Sequence, residues 1–289
     1  MSLSDVTIVP VHVRVLIERA LEEDGANGDP TTEALVPADE RGRAEAVARA
    51  PGVLAGLWVF AGVFTTVDPR LQVDLLRGEG SRVALGERIA VVSGSVASML
   101  KAERVALNFL QRLSGIATET ARHVAAASGL PVRIVDTRKT VPGMRWLEKY
   151  AVRAGGGMNH RMSLSDGILV KDNHLAVVKA RGETFKTMVA RLRQQTNHLL
   201  KIQVEVETLE DAAEAAEAGA DALLLDQMSL DHIEEVVRRY KGKVLLEASG
   251  GITLENVRRI AETGVDLISV GALTHSPRAL DISLEIQPG

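Results

Sequence analysis

The residues that could do chemistry in this chain gather at the ends of six apolar runs. The run 132–135 leads into Asp136-Thr137-Arg138-Lys139, and 168–170 leads into Lys171-Asp172-Asn173-His174. The run 202–206 holds Glu205, with Glu207 just beyond it, and 222–225 ends in Asp226. The run 244–246 leads into Glu247-Ala248-Ser249-Gly250-Gly251, and 267–270 into Gly271. Between residues 133 and 171 stand eight Lys or Arg against three Asp or Glu, in a chain whose formal net charge is -4. Such a local cationic surplus suits a small ligand with several negative charges, such as phosphates or carboxylates. Arg138 with Arg161 suits bidentate recognition of those groups. The bland alternative is that the charges pair with one another or sit on solvated loops. Succession at six strand ends favours a site.

Two carboxylates call for a different partner. Glu205 lies in the alternating string Ile202-Gln203-Val204-Glu205-Val206-Glu207, so it shares a face with Gln203 and Glu207, opposite the apolar side. Asp226 ends the next run, which sets the two acids side by side. Oxygen ligands beside a phosphate-bearing substrate suit Mg2+, which keeps several waters and takes one or two carboxylates. The competing reading is neutralisation by Lys171 or Lys139. Ser249-Gly250-Gly251 and Val270-Gly271-Ala272 have the form of loops whose backbone N–H groups approach a phosphate. Gly155-Gly156-Gly157 reads as a mobile lid, a close-approach loop or an ordinary turn. His160 taken alone reads as structural, and Arg104, in Lys101-Ala102-Glu103-Arg104, as a solvated or interface residue.

The elements that position these residues follow from periodicity. Val11–Glu23 reads as an amphipathic helix ended by the Gly25 to Pro30 break. Strand-like pieces at 43–50, 71–76 and 89–93 follow. The Ala- and Leu-rich stretch 96–129 predicts two helices. Beyond 132, strand-like runs alternate with helical segments at 210–217, 231–240 and 255–263. Thr208 with Asp211 looks like a capping pair, and Gly219 and Gly264 like helix stops. This is the rhythm of parallel β/α units. Six strands are too few for an eight-fold barrel of ~250 residues. The expected fold class is therefore α/β: an incomplete, about six-stranded parallel β/α barrel at 116–275, with an N-terminal α/β sandwich domain at 1–115. The alternating run 281–286 predicts a further strand within 276–289 that rejoins the N-terminal domain.

Composition narrows the function classes. The chain has 289 residues, 46% apolar and 25% charged, with no Cys. Disulfides, thiolate nucleophiles and Cys-ligated zinc are excluded. No apolar run approaches the ~20 residues of a membrane span, and the N-terminal string shows no secretory pattern, so a cytoplasmic location is expected. Mild acidity argues against a nucleic-acid partner. There is no phosphate-binding Gly-x-x-x-x-Gly-Lys loop, no nucleophile elbow and no His-Glu-x-x-His motif.

Longer motifs carry a resemblance. Asp136-Thr137-Arg138-Lys139-Thr140, Pro142-Gly143, Glu148-Lys149-Tyr150-Ala151-Val152, Asn159-His160-Arg161 and Lys171-Asp172-Asn173-His174 resemble the signature of the quinolinate phosphoribosyltransferases. So do Glu103-Arg104, Ser114-Gly115-Ile116-Ala117-Thr118, Glu247-Ala248-Ser249-Gly250-Gly251 and Val270-Gly271-Ala272-Leu273-Thr274-His275. The similarity runs from Gly28-Asp29-Pro30-Thr31-Thr32 to Asp281-Ile282-Ser283. It implies transfer of phosphoribosyl from phosphoribosyl pyrophosphate to quinolinate with loss of CO2, giving nicotinate mononucleotide for NAD synthesis, with Mg2+ and as a homodimer or assembly of dimers. Through it Arg138, Arg161 and Lys171 match carboxylate binders, with Thr137, Lys139 and His160 beside them. Arg104 matches an arginine donated across the dimer. Glu205 and Asp226 match metal and ribose-side acids, and Ser249, Gly250, Gly251, Val270, Gly271, Ala272 and His275 match the phosphate side. Lys139 is the expected proton donor to the decarboxylated carbon, with His160 or water as alternatives. The chain departs from the pattern at Gln227, where Asn is usual, and at Val141 and Ser163. Other readings are a related transferase with a different acceptor such as nicotinate, a non-catalytic anion-binding protein, and an unrelated phosphate-binding barrel enzyme. The last leaves the 136–174 string unexplained.

Overall fold

A computed structural model describes residues 9–289 and divides them into two compact units, each built around its own sheet. Of the described residues, the first unit comprises 9–121, Pro142–Gly156 and Ser276–Gly289. In it, helix α1 (Val11–Glu23) buries Val13, Ile17 and Leu21, a spacing of four that lines one helical face. Asp29 caps the short α2 (Pro30–Leu35), accepting from the Thr31 and Thr32 amides. Strands β1 (Arg41–Ala48) and β2 (Gly52–Val53) precede helix α3 (Leu57–Val67), which is apolar almost all round and correspondingly buried. Then come β3 (Gln72–Leu75), β4 (Arg82–Val83) and β5 (Arg88–Ser95).

Asp68 ends α3. It accepts from the Arg70 amide at 3.0 Å, from Arg70 Nε at 2.9 Å and from the Ser98 hydroxyl at 3.0 Å. The Arg70 guanidinium, with its amide, holds the Asp68 carboxyl down to about 2, below its ordinary 3.8. A depressed carboxylate stabilises the fold above its ordinary value and loses that contribution as pH falls toward its native one. We therefore expect Asp68→Asn to lower the urea midpoint at pH 7, and the gap from the parent protein to close between about pH 4 and pH 2. Both tryptophans of the chain, Trp58 and Trp146, lie in this unit with ring centroids 6.0 Å apart, so their emission reads the transition. A gap of constant size down to pH 2 would assign the effect elsewhere.

Helix α4 (Val96–Ala126) follows, and here expectation and structure differ. The stretch predicted as two helices is one of 31 residues. Gly115, a natural point for a break, is retained for packing: a β-carbon there would stand 2.1 Å from the Arg278 carbonyl oxygen. Buried Leu107, Leu110, Leu113 and Ile116 carry the apolar stripe through that point. Helix α5 (Arg145–Ala154) belongs to the first unit although its sequence position lies among the barrel segments. Trp146 and Tyr150 on it stack at 6.1 Å and both meet Trp58 edge-on.

The second unit, Arg122–Val141 with Gly157–His275, is the β/α array. Its elements run β6 (Arg133–Val135), β7 (Ile168–Val170), α6 (Asp172–Ala180), α7 (Phe185–Gln195), β8 (Ile202–Val206), α8 (Leu209–Glu217), β9 (Ala222–Asp226), α9 (Leu230–Tyr240), β10 (Leu245–Ser249), α10 (Val257–Glu262), β11 (Leu267–Ser269) and α11 (Ala272–His275). All six strands are parallel, in the order β6-β11-β10-β9-β8-β7. No pairing joins β6 to β7 among the described residues, so the barrel is open, as the strand count predicts. Thr208 accepts from the Asp211 amide at 3.1 Å and caps α8 as expected. Gly219 and Gly264 follow α8 and α10 with φ of 88° and 91°. The closing strand β12 (Ile282–Pro288) pairs antiparallel with β1, which also pairs with β5, and β3 completes the order β12-β1-β5-β3. The C-terminal run thus lies in the sheet of the first unit.

Candidate active site

In a parallel array the C-terminal strand ends share one face. The strand-end residues of the second unit there enclose a cavity of about 380 Å³. Thr137, Arg138 and Lys139 enter it from the end of β6, and His160 and Arg161 from the segment before β7. Lys171 follows β7, Glu205 lies on β8, Asp226 ends β9 and Ser249 ends β10.

A buried aspartate fixes the cationic side. Asp136 is fully buried; it accepts from the His160 amide at 2.8 Å and from Asn159 Nδ2 at 2.7 Å. Met158 bridges β6 alongside Val135, so the 158–161 segment lies against the end of that strand. Arg161 is anchored further by its Nη1, which donates to the Gly167 carbonyl at 2.9 Å. Burial, and then the like charge of Arg138, push the Arg161 guanidinium below its ordinary pKa. The Nε of Arg138 is buried with no hydrogen-bond partner. No carboxylate among the described residues forms an ion pair with Arg138, Lys139, Arg161 or Lys171. Four cations around one cavity, none in an ion pair, suit an anion, and ligand charge relieves the repulsion between Arg138 and Arg161.

Opposite them, burial and then the charge of Asp226 raise the Glu205 carboxyl above its ordinary pKa, although the Asp172 amide and Lys171 draw it down. Two half-buried acids side by side are suited to a cation or to hydroxyl donors. No cluster of three or more metal-ligating side chains occurs among the described residues. A divalent ion here would therefore take these carboxylates together with water and ligand oxygens, the pattern Mg2+ prefers.

The remaining residues singled out from the sequence sit as follows. An ideal β-carbon at Gly250 would stand 3.0 Å from Asp226 Oδ1, and one at Gly271 would stand 3.0 Å from Lys139 Cδ and 3.3 Å from the His275 ring. Gly250, Gly251, Val270, Gly271, Ala272 and His275 follow the ends of β10 and β11 without lining the cavity. Arg104 belongs to the first unit, exposed on α4 with Glu103 at 3.8 Å. The Gly155-Gly156-Gly157 run resolves as close approach: a β-carbon at Gly155 would stand 2.4 Å from the Ala117 carbonyl oxygen.

Four lining residues had no site role assigned from the sequence: Leu169, Leu224, Ser269 and Glu247, the last seen only as part of a strand-end string. Strand alternation could have found them. Each stands two residues before a strand-end position already singled out, at Lys171, Asp226, Ser249 and Gly271, and so shares its face. Glu247 is the consequential one. It is 1% exposed, and its Oε2 accepts from Gln203 Nε2 at 2.8 Å and faces His160 Nε2 at 3.4 Å. Burial raises this carboxyl, but hydrogen bonding from His160 and Gln203 outweighs it and leaves the group below its ordinary pKa. His160 Nε2 also lies 3.2 Å from Gln203 Oε1, and its Nδ1 accepts from the Arg161 amide at 2.8 Å. That acceptor role places the ring proton on Nε2.

Known proteins resemble this chain over nearly its whole length. Residues 29–114 match the model of the quinolinate phosphoribosyl transferase N-terminal domain, and 116–285 that of the C-terminal domain. A probable nicotinate-nucleotide pyrophosphorylase [carboxylating] of Bacillus subtilis is 41% identical over 276 residues, 96% of this chain and 94% of that protein. Its counterpart in Synechocystis is 43% identical over 274 residues, 93% of this chain and 91% of that one. The crystal structure of NadC from Streptococcus pyogenes superposes with a TM-score of 0.93 at 39% identity, covering 99% of this chain and all (100%) of the other. With both domain models matched in order and this set of residues around one cavity, the chain belongs to the quinolinate phosphoribosyl transferase family.

Proposed function

We propose that this protein joins quinolinate to phosphoribosyl pyrophosphate, releasing pyrophosphate and CO2 and giving nicotinate mononucleotide for NAD synthesis. The observation that carries the reading is the set Arg138, Arg161 and Lys171 in one cavity, with no ion-paired carboxylate among the described residues. Quinolinate presents two adjacent carboxylates, and three cations match two such groups better than the single one of nicotinate. Family membership supports the same acceptor.

The quinolinate ring nitrogen holds a lone pair, so its attack on ribose C1 needs no general base. The bond from C1 to the pyrophosphate oxygen breaks as the C1–N bond forms. Positive charge develops on the sugar, as in glycoside cleavage. Glu205 and Asp226 lie where they can stabilise that charge and hold ribose hydroxyls. The same pair would hold Mg2+, which supplies charge neutralisation to departing pyrophosphate. The strand-end loops at Ser249-Gly250-Gly251 and Val270-Gly271-Ala272, with His275, face the phosphate groups. After transfer, the pyridinium nitrogen stabilises the electron pair left at C2 when CO2 departs, and a proton closes the step. Both ring nitrogens of His160 already engage protein groups, which makes His160 a positioning residue. Lys139, in the cavity wall, is the donor.

The decisive assay supplies purified protein with quinolinate, phosphoribosyl pyrophosphate and Mg2+, and follows nicotinate mononucleotide and CO2. Turnover of nicotinate in place of quinolinate, at equal or greater kcat/KM, would overturn the acceptor. The protein acts in the cytoplasm as a homodimer, with Arg104 of each chain completing the other's site. Mixing an Arg104→Ala chain with a Lys171→Ala chain should restore one site in two within each mixed dimer, hence about a quarter of all sites in an equimolar mixture, while each parent stays inactive. Absence of any recovery, with mixed dimers verified by mass, counts against the sharing.

A further inference from the structure

One backbone conformation beside the cavity is out of keeping with its residue. Among the described residues Gln227 is the only non-glycine with positive φ, at 54°. In that region the β-carbon of an L-residue crowds its carbonyl; glycine enters freely, asparagine and aspartate enter at times, and glutamine seldom. Such strain persists where the surroundings over-determine it, and it concentrates at ligand sites. The Gln227 side chain is exposed, so no apolar burial offsets the cost.

Two polar contacts hold the conformation. The Gln227 amide donates to the Ser249 carbonyl at 2.9 Å, and its side-chain Nε2 donates to Asp226 Oδ2 at 3.2 Å. In an extended strand, successive side chains point to opposite faces, so residue 227 would turn away from Asp226. The left-handed turn is what folds the amide back onto its predecessor. Gly250 closes the arrangement from β10: a β-carbon there would stand 2.4 Å from Gln227 Cγ and 3.0 Å from Asp226 Oδ1. Oδ1 itself accepts no hydrogen bond among the described residues.

We infer that Gln227 is a positioning residue whose strained backbone and amide fix the Asp226 carboxylate, leaving Oδ1 free for the phosphoribosyl donor. The inference rests on the function proposed above, in which Asp226 serves that donor. Three variants separate its parts. Gln227→Met keeps the length and strain but lacks the donor, Gln227→Gly loses both, and Gln227→Asn keeps an amide on a residue that enters the left-handed region more readily. Calorimetric binding of phosphoribosyl pyrophosphate in Mg2+ should weaken about tenfold in the Met and Gly variants, with the KM for quinolinate unchanged, and recover in the Asn variant. The Gly variant should melt about 2–4 °C higher than the parent. A purely structural role would shift melting without separating the two substrates. Unchanged binding in both Met and Gly variants overturns the inference, as does a Gly variant that melts lower. A parent protein that fails to bind phosphoribosyl pyrophosphate overturns the functional reading instead.

Discussion

Replacing Arg138 or Arg161 by alanine should cut kcat/KM for quinolinate by roughly 2–5 kcal/mol, the range for truncating one partner of a buried charged contact. The effect should fall on quinolinate and leave phosphoribosyl pyrophosphate binding nearly intact. The reason lies in how the two guanidiniums are held. Each is half-buried, and the Arg161 guanidinium is already pushed down by desolvation and by Arg138. A bound dicarboxylate removes that repulsion, so deleting either cation loses a direct contact and leaves a carboxylate facing a weaker field. Lysine at either position should rescue only in part, because it keeps the charge and loses the planar fork. Steady-state kinetics with each substrate varied in turn makes the check. Near-parental quinolinate kinetics in both alanine variants would remove the basis for the acceptor assignment.

The second large effect is expected at Lys139. Lys139→Ala should lower kcat for nicotinate mononucleotide by about 10²–10⁴, the usual worth of a positioned general acid. The loss should appear after phosphoribosyl transfer. In a single turnover, pyrophosphate release should outrun CO2 release in the variant and keep pace with it in the parent. His160→Gln should cost less in the CO2 step, since the histidine hydrogen bonds run to Arg161, Gln203 and Glu247 within the protein. If pyrophosphate and CO2 release slow equally in Lys139→Ala, the lysine acts in binding and the proton arrives from elsewhere.

Much of the site was legible because parallel strands place their ends on one face. Six apolar runs, each ending in polar residues, were enough to bring Arg138, Lys171, Glu205, Asp226 and Ser249 together. The next layer inward was less visible. Glu247 reads in sequence as one more strand-end acid. Only the fold shows it fully enclosed and joined to Gln203 and His160, residues 44 and 87 positions away in the chain. The continuity of α4 escaped prediction for a similar reason. Gly115 weakens a helix by local propensity, and the Arg278 carbonyl that requires its missing side chain lies far along the chain. Gln227 was noted only as a departure from a family pattern; its left-handed backbone is a property of the turn and invisible in residue type.

The chain passes between its two units four times, since one is assembled from three segments and the other from two. Neither can be excised by a single cut. A truncation at any linker strands β12 away from its partner β1, or removes part of the parallel sheet. Gene fragments of this protein should therefore yield no autonomous module. Exchange with a relative that alters acceptor choice would have to move stitched pieces, or individual side chains, in place of a contiguous half.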